Sequence, residues 1–499
     1  MYFSVDSLLS CGIIYTLTLA RANETPKSAE KPRTIEVDYE ANTFRKDGQP
    51  FKYVAGELHY FRIPRAYWKD RLRKARYCGL NAISTYVEWS SHEPRPNEFD
   101  FSGENDLISF IKLAQEENLL VLLRPGPFIG AERSLGGLPA WMLTGNPDMQ
   151  LRTADPPFLS FVDRWFRVLF EKITPLLYGK GGPIFMVQVE NEYGNYFQCD
   201  QEYLRWLSQK MSSYVGKNAV LYTTDQATDS AFKCGPAPGA LATVDFGAGC
   251  KFDYAFFDFM SYRNKGGPSV NSEFYSGWLT HWTENFGGEA TGAVVKTMID
   301  ILQRNASFCF YMIHGGTNFG FTSGANALPY IPDITSYDYD APIDEAGDLT
   351  TKYFAIRSAL RKVSEIICCG NRRINTHTKN HEQKLVTPMD YPKKAYGSIK
   401  LSAVVSIFNA PDIYDDEPAY EKIPQSFETL EIYSGYGVVF VNGKNMGRYW
   451  PSVGPQITLY IPGCYLKAYP GVNKLVILEE EKVPETLEMK FQDKHTLRG

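Results

Sequence analysis

The sequence predicts an α/β protein in which a (β/α)8 TIM barrel spans residues 33–370 and a small all-β module spans residues 371–499. Three observations support this prediction. Short apolar runs alternate with amphipathic helical patterns from about Lys52 to Cys369. The runs are continuously apolar, which indicates strands buried on both faces, as in a parallel sheet. After Cys369 the chain changes to short alternating strands separated by turn residues.

Eight apolar runs fit the strands of the barrel. They are residues 53–55, 82–87, 119–123, 184–189, 220–223, 242–245, 269–271 and 308–312. Helical patterns lie between them at residues 67–78, 105–116, 161–177, 202–215, 293–302 and 354–367. Repeated strand–helix units over this length predict a closed barrel. A doubly wound open sheet is the alternative, but no GxGxxG motif follows a first strand to favour it.

The C-terminal module is predicted to be a β-sandwich. Its strands are residues 438–441, 457–461 and 474–478, and Asn442-Gly443 is the dipeptide of a tight hairpin. About 100 residues suffice for a sandwich. The segment after residue 370 is therefore long enough to form one.

Residues 1–22 are predicted to be a secretory signal peptide. The apolar run 8–20 is too short to span a bilayer, and small residues lie at its end. A buried N-terminal segment is the alternative. Sequons at Asn23 and Asn305 fit glycosylation in the secretory route, so we expect a lysosomal or extracellular protein. No run of 18 apolar residues occurs later in the sequence, so no membrane-spanning helix is predicted.

Charge and cysteine content exclude several classes of function. The net charge of −5 gives no basic surface for a nucleic acid. Of nine cysteines, Cys11 would leave with the signal peptide, and the even number that remains permits disulfides. The sequence contains no CxxC pair, the motif of zinc ribbons and thiol redox sites. We expect neither a metal nor an organic cofactor. Cys78, on a predicted helix, and Cys309, in a predicted strand, are expected to be buried thiols.

Glutamates and aromatic residues follow several predicted strands. Glu192 follows the fourth strand in Glu-Asn-Glu-Tyr-Gly, and Glu273 follows the seventh in Asn-Ser-Glu-Phe-Tyr. Active sites of such barrels lie at the C-terminal ends of the strands. One protonated and one ionised carboxyl group, beside aromatic faces that hold sugar rings, suit glycoside hydrolysis. A single strand-end glutamate could instead cap a helix or pair with arginine, but the two together favour catalysis.

These segments resemble a known enzyme family. GELHYFRIP, TYVEWSSHEP, RPGPFIGAE, GGLPAW, VQVENEYGNY, NSEFYSGW, GGTNFGF and SYDYDAP occur in this order between about residues 50 and 345. They resemble family 35 of the glycoside hydrolases, a β-galactosidase family that includes the animal lysosomal enzyme. The resemblance implies that Glu192 is the acid/base and that Glu273 is the nucleophile.

The resemblance also assigns residues that would hold the sugar. It implies galactose contacts from Tyr86, Glu132, Asn191 and Tyr339. It implies that Trp278 and Tyr337 wall the site, and that Cys199 and Cys234 form a disulfide.

Two features depart from the family pattern. Gly130 stands where the animal members usually have Cys, and Glu88 and Ser91 are unusual in their block. The C-terminal region is shorter than in other members, because residues 433–437 resemble the start of one β module and run almost directly into VNGKNMGRYW, which resembles the last. The module is therefore expected to be internally shortened.

The sequence as a whole predicts a retaining exo-β-galactosidase that removes terminal non-reducing β-D-galactose from glycolipids, glycoproteins or oligosaccharides. The retaining mechanism places the two carboxyl groups about 5 Å apart. One alternative is a galactose-binding protein with weak or no turnover. Another is a related retaining β-glycosidase with a different sugar specificity, such as for glucosamine. A homo-oligomer is compatible with the sequence, and a nucleic-acid partner is not expected.

Overall fold

The computed structural model describes residues 33–250, 266–326, 329–370, 428–432, 435–467, 473–480 and 489–492. The predicted signal peptide and the sequon at Asn23 lie outside the described residues. Asn305 is exposed in the turn before the last barrel strand, and its glycosylation stays a prediction. Within the described ranges, no helix has the length and apolar character needed to cross a membrane.

A small antiparallel sheet precedes the barrel. Its strands are β1 (Ile35–Asp38), β2 (Thr43–Lys46) and β3 (Gln49–Phe51). The sequence did not predict this sheet, because strands of three or four residues with partly exposed polar positions give little periodic signal. The ring of Phe51 meets that of Phe185 edge-on at 6.0 Å. Because Phe185 lies near the start of its barrel strand, the sheet covers the N-terminal end of the barrel.

Eight parallel strands close into a barrel. They are β4 (Val54–Glu57), β5 (Ala82–Tyr86), β6 (Leu120–Arg124), β7 (Ile184–Gln188), β8 (Val220–Gln226), β9 (Leu241–Gly247), β10 (Val270–Tyr275) and β11 (Ser307–Tyr311). Neighbours in sequence pair in the ring, and β11 pairs back onto β4. Each predicted run overlaps one strand, so the barrel is confirmed and the doubly wound sheet is wrong. A short hairpin follows, made of β12 (Ala325–Asn326) and β13 (Ile331–Pro332).

Helices surround the barrel. Their bounds are α1 (Trp68–Cys78), α2 (Trp89–His92), α3 (Leu107–Glu116), α4 (Trp141–Thr144), α5 (Pro156–Ile173), α6 (Gln201–Val215), α7 (Asp229–Cys234), α8 (Thr291–Gln303) and α9 (Thr351–Gly370). The six predicted helices correspond to α1, α3, α5, α6, α8 and α9. Helix α5 begins earlier than predicted because Pro156 and Pro157 occupy its first turn, where a missing N–H costs no helical hydrogen bond.

The main hydrophobic core lies between the barrel strands and the helices. It includes Trp68 on α1 and Trp165 on α5, both fully buried. A second cluster fills the N-terminal end of the barrel around Phe185. Cys78 and Cys309 are buried free thiols, as predicted. Burial raises the pKa of Cys78 to about 12, so this thiol stays protonated at neutral pH.

Two antiparallel sheets of three strands form the C-terminal module. One contains β14 (Glu428–Ile432), β17 (Thr458–Ile461) and β19 (Met489–Gln492), and the other contains β15 (Gly437–Val441), β16 (Lys444–Tyr449) and β18 (Leu475–Glu479). Asn442 and Gly443 have φ angles of 51° and 81° and turn β15 into β16, which confirms the predicted hairpin. Nothing in the described residues tests the internal shortening between residues 433–437 and 441–450, so it stays a prediction.

The module contacts the loop that follows the last barrel strand. The backbone N–H of Ser336 donates to Gln456 Oε1 at 2.9 Å. The Thr335 hydroxyl donates to the carbonyl of Arg448 at 2.7 Å. The module therefore supports loop 335–339, which carries two of the predicted site residues.

Candidate active site

The predicted site residues lie together at the C-terminal end of the barrel. Tyr86 ends β5 and Glu273 lies on β10. The others lie in loops after β6, β7, β10 and β11, namely Glu132, Asn191, Glu192, Trp278, Tyr337 and Tyr339. The Tyr86 hydroxyl is within hydrogen-bonding distance, 3.1 Å, of both Asn191 Oδ1 and Glu273 Oε1. Two strands and the loop after a third therefore contribute to one connected group of side chains.

Arg124, at the end of β6, connects this group. Its guanidinium donates to Gln188 Oε1, to Asn191 Oδ1 and to Glu57 Oε2, each at 2.7 Å, and also to Glu273 Oε1. Arg124 is buried, so these charge-assisted hydrogen bonds act with little screening by water. Arg124 was not among the predicted functional residues, although Arg124 is the first residue of the segment RPGPFIGAE.

The side chain of Asn191 is fixed in one orientation. Its Oδ1 accepts from Arg124 Nη2 at 2.7 Å, from Gln188 Nε2 at 2.9 Å and from the Tyr86 hydroxyl at 3.1 Å. Three donors on the oxygen leave the amide nitrogen, Nδ2, to face the opposite way. A methyl group at Gly130 would lie 3.4 Å from this nitrogen. The Asn191 amide is thus a preset hydrogen-bond donor beside Gly130.

Glu192 follows β7 with a left-handed backbone, at φ 45° and ψ 40°. Among the described residues, its carboxyl group has no hydrogen-bond partner. Its pKa is raised to about 8, first by burial and then by the negative charges of Glu273 and Glu132. A carboxyl group with this pKa holds a proton at neutral pH.

Glu273 has a different environment from Glu192. Its Oε1 accepts from Arg124 and lies 3.1 Å from the Tyr86 hydroxyl, whose one proton it shares with Asn191. Burial raises the pKa of Glu273, and the charge and hydrogen bond of Arg124 act in the opposite direction. The pairing of β10 with β9 shifts register between Asn271 and Glu273, and such irregularities re-aim side chains at active sites. Glu273 is thus the carboxylate that a cation stabilises.

Glu132 and aromatic rings form a second side of the site. The Tyr337 hydroxyl donates to Glu132 Oε2, and the Arg62 guanidinium lies 3.6 Å from the centre of the Tyr337 ring. Burial raises the pKa of Glu132. Trp278 is 47% exposed, and its ring centre lies 6.3 Å from that of Tyr339. These residues provide an acceptor and a set of apolar faces, as a sugar site requires.

Two further buried acids were not predicted. Asp225, on β8, accepts from the backbone N–H of Gly194 at 2.8 Å, and Asp245, on β9, accepts from the Tyr275 hydroxyl at 2.9 Å. Burial raises the pKa of both carboxyl groups well above the usual range, and the charge of Glu192 raises it further. Within the described part of the chain, no group of three or more His, Cys, Asp or Glu side chains is arranged to hold a metal ion.

Left-handed backbone conformations are concentrated around the site. Ala131, Glu132, Glu190, Glu192 and Tyr339 have φ angles of 52°, 49°, 62°, 45° and 64°. Non-glycine residues rarely adopt such angles, and they persist where surrounding contacts hold them. The loops after β6, β7 and β11 are therefore held in specific and costly conformations at the mouth of the barrel.

Cys199 and Cys234 form a disulfide, as the resemblance implies. Their Cα atoms are 5.2 Å apart, and the bridge joins the loop after β7 to the end of α7. Glu192 lies in the same loop. The bridge therefore limits the movement of the segment that follows the candidate acid.

Glu88, one of the two unusual residues, accepts hydrogen bonds from both Arg133 and Ser91, the other unusual residue. Arg133 donates to both Glu88 oxygens, at 2.6 and 2.7 Å, and all of these contacts are buried. Ser91 donates to the same carboxylate. Arg133 Nη1 also donates to Thr322 Oγ1 at 2.6 Å. Because Arg133 directly follows Glu132, this ion pair anchors the loop that presents Glu132.

Comparison with protein-family models gives two matches. The model described as "Glycosyl hydrolases family 35" matches residues 43–363, and "Beta-galactosidase, galactose-binding domain" matches residues 429–473. The first match covers all eight barrel strands and every predicted catalytic and substrate-binding residue. The second covers much of the C-terminal module.

Curated relatives are similar over most of the chain. A protein named "Beta-galactosidase" from Felis catus is 46% identical over 405 residues, which cover 81% of this chain and 58% of the relative. The Bos taurus protein of the same name is 43% identical, with coverage of 90% and 66%. The Homo sapiens protein is 46% identical, with coverage of 82% and 57%. The chain thus spans about three fifths of the length of these relatives, and with the family match over residues 43–363 it belongs to glycosyl hydrolase family 35.

Proposed function

We propose that this protein is a retaining exo-β-galactosidase that hydrolyses terminal β-D-galactose from glycoconjugates. The observation that carries the proposal is the contrast between two neighbouring glutamates. Glu192 has a pKa raised to about 8 and no protein partner among the described residues, whereas Glu273 is paired with Arg124. One carboxyl group is thus suited to donate a proton and the other to act as an anion. The names of the curated relatives agree with this activity.

The first step forms a glycosyl-enzyme. Glu273 attacks the anomeric carbon of galactose, and the bond to the leaving oxygen breaks. Glu192 transfers its proton to that oxygen, so the leaving group departs as a neutral alcohol. The intermediate is an ester between Glu273 and galactose.

The second step returns both glutamates to their starting states. Esterification removes the negative charge of Glu273, which is one of the charges that raise the pKa of Glu192. The pKa of Glu192 therefore falls in the intermediate, and its carboxylate can take a proton from water. The water attacks the anomeric carbon on the face that the leaving group vacated, and the ester bond breaks to release Glu273 as a carboxylate, so the product keeps the β configuration.

Residues around the two glutamates would hold the galactose ring. We assign the Asn191 amide N–H to the hydroxyl next to the reacting carbon, because three donors on Oδ1 leave Nδ2 available. Glu132, Tyr86 and Tyr339 would bind the other hydroxyls. Trp278 and Tyr337 would contact the apolar edges of the ring.

A panel of chromogenic β-glycosides tests this proposal. The proposal expects release of nitrophenol from the β-galactoside and little from the β-glucoside, the β-glucosaminide or the α-galactoside. Proton NMR of the first product should show β-galactose. Binding of galactose without turnover would favour a galactose-binding protein, and faster cleavage of another β-sugar would favour a related glycosidase. First appearance of α-galactose would refute retention.

The proposed activity belongs to the secretory route and the lysosome or extracellular space. Support comes from the predicted signal peptide and from the Cys199–Cys234 disulfide, a bond that persists in oxidising compartments. Expression in animal cells should give a protein whose mass falls on treatment with an N-glycosidase. Asn305→Gln should remove part of that change. A protein retained in the cytosol with both thiols free would contradict this assignment.

A further inference from the structure

Glu57 is a buried acid that the proposed reaction steps do not use. It ends β4 inside the barrel and is fully buried. Its Oε2 accepts from Arg124 Nη1 at 2.7 Å. The other terminal nitrogen of the same guanidinium, Nη2, donates to Glu273 Oε1. One arginine thus lies between two carboxyl groups, and only one of the two is assigned to catalysis.

The contacts of Glu57 stabilise its ionised form. The Arg62 guanidinium can only donate, so His59 Nδ1, which lies 2.7 Å from Arg62 Nη1, is an acceptor. Burial and the neighbouring arginines hold the pKa of His59 well below its usual range, so the ring is neutral and its proton lies on Nε2. That nitrogen lies 3.2 Å from Glu57 Oε1. Burial raises the pKa of Glu57, while the charge and hydrogen bond of Arg124 lower it. Both oxygens of Glu57 therefore face donors, an arrangement that favours the carboxylate.

Glu273 faces other ionisable groups besides Arg124 and Glu57. Three further carboxyl groups act on it, namely those of Glu132, Glu192 and Asp245. In the described part of the chain, Arg124 donates no hydrogen bond to any of these three. Burial raises the pKa values of the surrounding phenols and thiol well above their usual range, so these groups stay neutral; they are Tyr86, Tyr222, Tyr275, Tyr311, Tyr339 and Cys309. Glu57 differs from the other acids because it shares a hydrogen-bonded cation with Glu273.

We propose that Glu57 is a positioning residue for the nucleophile, which holds one arm of Arg124 and shares its charge, so that the guanidinium orients Glu273 without fully balancing its charge. The proposal rests on the assignment of Glu273 as the nucleophile in the proposed function. The charge of Glu57 raises the pKa of Glu273, whereas Arg124 lowers it. A more basic carboxylate attacks the anomeric carbon more readily, so this offset favours the first step of the reaction.

The proposed role and a purely structural role predict opposite results for Glu57→Gln. The substitution removes the negative charge and keeps the size of the side chain. Under the proposal, Arg124 then acts on Glu273 alone and the pKa of Glu273 falls. The acidic limb of activity should therefore move to lower pH by about one unit, as for the loss of a neighbouring like charge. If Glu57 only held Arg124 in place, the loosened guanidinium would stabilise Glu273 less, and the limb would stay or move to higher pH.

The measured quantity is kcat/KM for dinitrophenyl β-galactoside as a function of pH. Its leaving group needs no proton, so the acidic limb reports Glu273 and not Glu192. In Glu57→Gln the plateau should also fall about tenfold, because the nucleophile is weaker and the guanidinium is less precisely held. Glu57→Asp keeps the charge, so its acidic limb should lie close to that of the wild type.

Glu93→Gln is the matched control. Glu93 is also fully buried and forms an ion pair with Arg164 at 2.5 Å, but it contacts neither Arg124 nor Glu273. Its acidic limb should stay at the wild-type pH. A shift as large as that of Glu57→Gln would show that the loss of any buried carboxylate has this effect, and would refute the proposal.

A combined variant serves if Glu57→Gln does not fold. Glu57→Gln with Arg124→Met removes both partners, a change that proteins tolerate better than the loss of one partner of a buried ion pair. Its acidic limb should lie at lower pH than that of Arg124→Met alone, because the negative charge of Glu57 no longer opposes ionisation of Glu273. Equal limbs in these two variants would refute the proposal.

Binding of deoxygalactonojirimycin, a galactose mimic with a protonated ring nitrogen, gives a readout that does not need turnover. Its calorimetric affinity should fall as Glu273 gains a proton, and the fall should occur at lower pH in Glu57→Gln than in the wild type. An unchanged or higher acidic limb in Glu57→Gln, by either measurement, refutes the positioning role. Failure of the wild-type protein to cleave any galactoside would instead refute the proposed function, and the pH dependence of binding would still decide on Glu57.

Discussion

Arg124 donates a hydrogen bond to Glu273 across the interior of the barrel. Arg124 ends β6 and Glu273 lies on β10, and these strands lie opposite each other in the ring of eight. The same guanidinium reaches Glu57 on β4 and Asn191 after β7. A single buried cation therefore favours the ionised form of Glu273, against the effect of burial, and orients Asn191.

Replacing Arg124 should reduce activity strongly. We expect Arg124→Met to lower kcat/KM by about two to three orders of magnitude, as when a preorganised electrostatic contact is removed. Because Arg124 lowers the pKa of Glu273, the acidic limb of the pH profile should move to higher pH. Arg124→Lys keeps the charge but loses the fork of donors. Its acidic limb should therefore lie close to the wild-type pH, while its kcat/KM stays below the wild-type value. An unchanged acidic limb in Arg124→Met would show that Arg124 is only structural.

The alkaline limb of activity should report Glu192. Its pKa is raised to about 8, and the protonated form is the one needed for leaving-group departure. For an alkyl galactoside, kcat/KM should therefore fall as the pH rises through about 8. Dinitrophenyl galactoside needs no proton at its leaving oxygen, so its kcat/KM should lack this limb. The same limb with both substrates would assign it to another group.

Loss of one partner of the buried Glu88–Arg133 pair should destabilise the protein more than loss of both. Arg133→Met leaves the Glu88 carboxylate buried without a cationic partner and should lower the free energy of unfolding by about 3–5 kcal/mol. Glu88→Leu combined with Arg133→Met should recover most of this loss. The exposed pair of Arg95 and Glu98 is the control, and Arg95→Met should change stability little. Urea unfolding of Arg133→Met, Glu88→Leu, the combined variant and Arg95→Met measures the coupling, and a loss in the combined variant equal to the sum of the two single losses would contradict it.

The disulfide should contribute to stability through the loop that it closes. Its sequence separation is 35 residues, so the chain-entropy account gives roughly 3–4 kcal/mol. Cys199→Ala combined with Cys234→Ala should unfold at lower temperature than the wild type in the absence of reductant. The difference should shrink when the wild type is reduced. Non-reduced peptide mapping that finds both thiols free would refute the bond.

The barrel could be predicted because each of its strands and helices leaves its own pattern of apolar residues in a short stretch of sequence. Strands such as Ile184–Gln188 are buried throughout, so their apolar runs are visible without knowledge of the fold. The candidate acid and nucleophile also stand in recognisable segments. The antiparallel sheet at the N-terminal end was missed, because strands such as Gln49–Phe51 are too short to show a period.

The electrostatic connections of the site could not be predicted in the same way. Arg124 and Glu273 are 149 residues apart, and their contact depends on the closure of the barrel. Asp225 was missed because nothing in the neighbouring sequence indicates that its carboxylate accepts a hydrogen bond from the backbone N–H of Gly194. The partnership of Glu88 with Arg133 likewise depends on how two loops meet, although Glu88 was visible as an unusual residue in its segment.

The central claim is that Glu192 is the acid/base and Glu273 is the nucleophile. Azide rescue with dinitrophenyl β-galactoside tests it most directly. Glu192→Ala should still form the glycosyl-enzyme, stall at hydrolysis, and release β-galactosyl azide when azide is added. Glu273→Ala should be inactive on all galactosides when azide is absent. It should yield no β-galactosyl azide when azide is added. Release of β-galactosyl azide by Glu273→Ala, with no rescue of Glu192→Ala, would contradict the assignment.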